Sequence, residues 1–113
     1  MNIHKYIYKK FNELDRYGFS VRAIQNGSDY ELILTKNGKS LLIGYYLTEN
    51  LDYYFDICFS NNGIDFVNIF KSDIFFKDFQ ITNNIKNKNV KEEIDNKFNF
   101  ITENIDLLLE KFN

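Results

Sequence analysis

Apolar residues fall at Ile3, Tyr6, Ile7, Phe11, Leu14 and Tyr17, a step of three or four that lines one stripe of a helix. Gly18 follows where a left-handed cap is wanted, so the spacing predicts a first helix over Ile3–Tyr17 with a mostly basic outer face of Lys5, Lys9, Lys10, Glu13 and Arg16. From Phe19 the period changes to two. Phe19, Val21 and Ala23 alternate with Ser20 and Arg22; after Asn26-Gly27, Tyr30, Leu32 and Leu34 alternate with Glu31 and Thr35. Asn37-Gly38 is the pair that best tolerates the positive φ of a type I′ turn, and Leu41, Ile43 and Tyr45 continue beyond it. A fourth strand over 53–60 places Tyr53, Phe55, Ile57 and Phe59 on one face and Tyr54, Asp56, Cys58 and Ser60 on the other. Asn61-Asn62-Gly63 turns into a fifth strand over 64–70.

Short turns between alternating strands favour an antiparallel meander, because a parallel sheet needs crossover helices for which the spacing leaves no room. Residues 71–89 fit neither period and carry no assignment, an edge strand followed by a polar linker being one reading. Val90, Ile94, Phe98, Ile101, Ile105, Leu108 and Phe112 then form one stripe, predicting a single amphipathic helix over 90–112. Asn89 and Glu92 read as its capping box. The fold class predicted is α+β: an N-terminal helix, a meander of about five strands, and a long C-terminal helix packed on the sheet.

A chain of 113 residues, 44% hydrophobic and 18% aromatic with no Trp, is long enough for one core and one domain over 1–113. Pro is absent while Asn, Lys, Ile, Phe and Tyr abound, a bias that AT-rich codons of a bacterial or phage genome produce. The net charge of −2 is too small for the whole-molecule field to hold nucleic acid or an anionic membrane. Cys58 is the only cysteine, which fits a reducing compartment. With no apolar leader and no run of 18 apolar residues, the expectation is a cytoplasmic protein without a membrane partner.

Side chains for chemistry are sparse. His4 is the only histidine, and its place near a terminus predicts a solvated residue. Cys58 lies mid-strand without a cationic neighbour and reads as a packing residue. The five glycines are scattered, so no phosphate-cradling loop is present; Gly44, inside a strand, predicts a bulge or bend, or else a close approach to a ligand. Asp52 and Asp56 stand roughly 13 Å apart along an extended strand, too far for one metal ion. Asp56 and Asp65 could face each other across the 61–63 hairpin, but paired like charges weaken a sheet. The reading is therefore of a non-enzyme with no cofactor and no metal.

Charge is distributed unevenly. Residues 1–22 carry five basic and two acidic side chains, while 49–78 carry six acidic and two basic ones. Tyrosine among carboxylates suits a surface that holds a basic protein, because rings anchor the desolvated centre and charges steer the encounter. The partner-binding residues predicted on this basis are Glu49, Asp52, Tyr54, Asp56, Asp65 and Asp73. In length, acidity, abundance of Asn, Lys, Ile and aromatics, and helix–sheet–helix layout, the whole chain resembles small cytoplasmic immunity proteins of bacterial toxin systems. That resemblance implies tight one-to-one binding of a basic toxin, often a nuclease. Alternatives are a secretion-effector chaperone, a phage-encoded inhibitor of a host nuclease, and a small carboxylate-dependent enzyme. A nucleic-acid binder would use Lys5, Lys9, Lys10, Arg16 and Arg22. Monomer and homodimer both remain open.

Overall fold

The computed structural model describes residues 2–50, 52–72, 75–76 and 87–113. The Asn2 side chain accepts the Lys5 N–H at 3.1 Å and starts α1 (Ile3–Phe11). The chain then tightens into a 3₁₀ segment, Asn12–Tyr17, so the predicted first helix is α-helical only at its start. Phe11, Leu14 and Tyr17 are spaced by three, the interval at which a 3₁₀ helix aligns its side chains, and the first two are fully buried. Gly18 closes the segment at φ +93°, the left-handed cap anticipated.

Five strands follow as an antiparallel meander in the order β1 (Ser20–Asn26), β2 (Asp29–Lys36), β3 (Lys39–Leu47), β4 (Tyr53–Asn61) and β5 (Ile64–Asn68). Asn37 and Gly38 take φ 55° and 75°, and Asn62 and Gly63 take 58° and 76°, as two-residue hairpin turns require. Tyr30, Leu32, Leu34, Leu41, Ile43, Tyr45, Phe55 and Ile57 share the inner face and are buried. Ile7, Phe11 and Leu14 cover them from the N-terminal side, and Ile94, Phe98, Ile101, Leu108 and Phe112 from the C-terminal side.

β5 ends two residues earlier than predicted. Beyond it the Ile69 N–H still donates to the Ile57 carbonyl at 3.0 Å, and the Phe76 N–H returns to the Ile69 carbonyl at 2.8 Å. This folded-back chain buries Ile69, Phe70, Phe75 and Phe76, with Phe75 against Phe59 and Phe76 against Phe100. Those rings fit neither period because they belong to no regular element. Residues 73–74 and 77–86 of the 71–89 stretch lie outside the described residues.

Asn89 accepts the Glu92 N–H at 2.9 Å and opens α2 (Val90–Glu103). The predicted single helix is broken at Asn104, which leaves helical geometry at φ −118° and ψ 30° while its side-chain amide donates to the Phe100 carbonyl at 2.9 Å. A short helix, α3 (Ile105–Glu110), resumes the stripe. Phe112 then inserts edge-on between Phe19 and Phe59, with centroids 4.9 and 5.2 Å away. The Asn37 amide donates to the Phe112 carbonyl at 2.7 Å, and Lys39 donates to the Asn113 carbonyl at 2.6 Å, which ties this end to the β2–β3 turn.

α1 and α2 are joined by Asp95, which accepts hydrogen bonds from Lys10 at 2.7 Å and from the Tyr6 hydroxyl. Burial by itself would raise the Asp95 pKa, but the bonds from Lys10 and Tyr6 outweigh it and hold the carboxyl below its ordinary value. The contribution of this contact to stability is complete above the ordinary aspartate range and disappears as pH falls through the lowered value.

Phe112 is fully buried among aromatic neighbours. Phe112→Ala is expected to lower stability by roughly 3–5 kcal/mol, read as a fall in the urea midpoint at unchanged slope.

Candidate functional site

Strand parity decides what the outer face presents. On β4, Tyr53, Phe55 and Ile57 point under the helices, so Tyr54, Asp56 and Cys58 point away from them, and Tyr54 is 53% exposed. Across the sheet, Ile24, Glu31, Gly44 and Asp56 lie in one row. Glu31 and Asp56 are thus two strand spacings apart, about 10 Å, with glycine between them.

Gly44 creates neither a bulge nor a bend: its pairings to Glu31 and Asp56 are in register. A Cβ there would lie 2.6 Å from the Tyr46 hydroxyl oxygen. The missing side chain lets the Tyr46 ring lie flat over the strand, so that its hydroxyl donates to Glu31 at 2.8 Å. Burial and this bond together raise the Tyr46 pKa well above that of a free phenol.

Where β5 ends, β4 borders a cleft of about 780 Å³ lined by Asp52, Tyr53, Tyr54, Phe55, Asp56, Asn68, Phe70, Lys71, Glu93 and Lys97. Lys97 is buried at its inner wall, between the rings of Phe55 and Phe70 at 5.5 and 5.4 Å. It donates to Glu93 at 2.7 Å and to the Phe55 carbonyl at 3.3 Å, standing where the next strand's N–H would be. The Tyr53 hydroxyl donates to the other Glu93 oxygen at 2.8 Å. Its pKa is pushed up to about 12, first by burial and then by that bond. At the mouth, the Asn68 amide donates to Asp56, while Asp56 raises the Tyr54 pKa by hydrogen bonding and by its charge.

Three of the six predicted binding residues, Asp52, Tyr54 and Asp56, therefore meet at one cleft. Glu49 is exposed nearby in the β3–β4 loop, which the Thr48 N–H closes on the Asp52 carbonyl at 2.8 Å. Asp65 does not face Asp56: it follows the Asn61↔Ile64 pair at the turn end of β5, beside a register shift, at φ 55°. Asp73 lies outside the described residues. Glu31, Glu93 and Lys97 were missed. Glu31 shares the parity of the exposed face, and Glu93 with Lys97 has the i,i+4 spacing of a helix ion pair; both signals were present in the sequence.

His4 lies at the surface but is partly buried. Its ring stacks on Tyr30 at 4.9 Å, and its Nε2–H donates to the Ser28 carbonyl at 3.0 Å. Cys58 is half-buried, and burial followed by the Asp56 charge raises its pKa, which keeps it a poor nucleophile. Among the described residues no group of three or more His, Cys, Asp or Glu is placed to hold a metal ion, and no helix is long and apolar enough to cross a membrane. The buried charge in the cleft is already paired, whereas Asp52 is exposed at its mouth. Lys71 is also exposed in the lining, so Asp52 and Asp56 leave it a net charge of −1, which suits a cationic group arriving from outside.

Comparison of the chain with protein-family models, curated proteins and solved structures finds no match.

The raised Tyr53 pKa sets an alkaline limit. The neutral phenol is favoured in the folded state, so its contribution is intact below the free value of about 10 and is lost as pH rises through about 12. Urea midpoints measured across this range are expected to fall less steeply for Tyr53→Phe than for the parent.

Proposed function

We propose that the protein is a non-catalytic binding protein that acts in the cytoplasm as an immunity protein, neutralising a basic bacterial toxin through the outer face of β4 and the adjoining cleft. Tyr54 carries this reading: it is 53% exposed on the face opposite the helices, next to Asp56 and above a cleft whose mouth holds Asp52. A large exposed ring between carboxylates is unfavourable to leave in water and favourable to cover with an Arg- or Lys-bearing surface. The β3–β4 loop brings Glu49 to the same end of the sheet, where it adds to the attraction of a basic partner during approach. The internal ion pair Glu93–Lys97 neutralises the cleft wall, and Asp52 and Asp56 outweigh Lys71 at the rim to leave the lining net negative.

The test is capture of the partner on the tagged full chain from its native host. One basic protein retained at one-to-one stoichiometry, with association slowed by salt, is the expected result. Tyr54→Ala should then weaken binding by at least about 2 kcal/mol, roughly thirtyfold in Kd, and Asp52→Lys should slow association. Unchanged affinity in both variants, with folding verified by the urea midpoint, would refute the proposal.

A further inference from the structure

The two edges of the sheet are treated differently. On the β5 side, the edge strand has only 5 residues and a register shift near its turn, and where β4 runs past its end buried Lys97 occupies the Phe55 carbonyl. At the other edge, β1 is exposed along nearly its whole length of 7 residues, and among the described residues nothing bonds its free side. Asn26↔Asp29 closes the β1–β2 turn, so Ser20, Arg22, Ile24 and Asn26 exchange hydrogen bonds with β2. The N–H and C=O groups of Val21, Ala23 and Gln25 consequently point outward. Little of the usual protection is present: the strand has no proline, its register with β2 has no bulge, and Arg22 is its only charge.

Beside this edge, between β1 and α1, runs a groove of about 530 Å³. Ala23, Gln25 and Tyr30 line the sheet side, and Tyr8, Lys5 and Lys9 the helix side. Lys10, on the same helix, is paired with Asp95, but among the described residues Lys5 and Lys9 have no ion pair. We propose that the β1 edge takes up an extended, acidic segment of a partner protein as a sixth strand. The ladder would be made with Val21, Ala23 and Gln25. Inward-facing residues of the added strand lie over the groove, apolar ones against Ala23 and Tyr30, and carboxylates against Lys5 and Lys9. A second copy fits less well: antiparallel pairing about Ala23 would bring Lys5 and Lys9 of both copies to one groove without a counter-charge.

The proposal is tested by selecting short random peptides displayed on phage against the immobilised full chain. Enriched peptides are expected to alternate Asp or Glu with apolar residues, and their binding should protect the Val21, Ala23 and Gln25 amides from hydrogen exchange. Ala23→Pro removes an outward N–H at a position where an edge strand tolerates proline, and it should abolish binding. Lys5→Glu combined with Lys9→Glu, on the exposed side of α1, should weaken it roughly tenfold. No enrichment, enrichment of basic peptides, or binding indifferent to Ala23→Pro would overturn the proposal. So would a dimer detected by light scattering that Ala23→Pro dissolves, which would assign the edge to a second copy.

Discussion

The turn at Asn37-Gly38 holds both residues at positive φ, and with only two residues to close it the pairing of Lys36 with Lys39 is forced. Register then propagates outward, from Leu34↔Leu41 to Leu32↔Ile43 to Tyr30↔Tyr45, and through β3 into β4. A slip of one residue would move every inner side chain to the outer face, lifting Leu32, Ile43 and Ile57 into water and burying Glu31 and Asp56. The exposure of Tyr54 and the burial of Phe55 are therefore one fact, fixed by the in-register pairing of β4 with β3.

That division also separates the charges. Glu31 and Asp56 stand on the free face of the sheet, and Lys5 and Lys9 stand on α1 on the other side. The sheet keeps these two sets apart, so the carboxylates of the free face do not neutralise the lysines beside the β1–α1 groove. Where opposite charges do meet, they hold elements together: Lys10 with Asp95 joins α1 to α2, and Lys97 with Glu93 seals the edge of β4 from inside.

Local features were legible in the sequence. Hairpin turns, strand parity, the Gly18 cap and the Asn89 cap each depend on residues a few positions apart, and each appears in the structure where spacing put it. The step of three from Phe11 to Leu14 to Tyr17 fits an α-helix and a 3₁₀ helix alike, so the spacing alone does not mark where α1 tightens. What was not legible depends on where one element stops beside another. The cleft exists because β5 ends at Asn68, and its inner wall comes from α2, about forty residues away in sequence from the Tyr53–Phe55 wall it faces. Asp65 stands apart from Asp56 for a similar reason: a register shift near the turn redirects its backbone, and alternation does not anticipate a bulge.

Phe112 sits between Phe19 and Phe59, so the inner face of the sheet is completed by one of the last residues of the sequence. On the ribosome the strands emerge first. Some 40 residues must follow Phe70 before Phe112 is synthesised, and at about 5–20 residues per second that takes on the order of 2 to 8 s. During this interval only α1 and the 3₁₀ segment are available to cover the apolar face of the nascent meander, and the remainder is a natural substrate for the chaperones that meet chains at the exit tunnel.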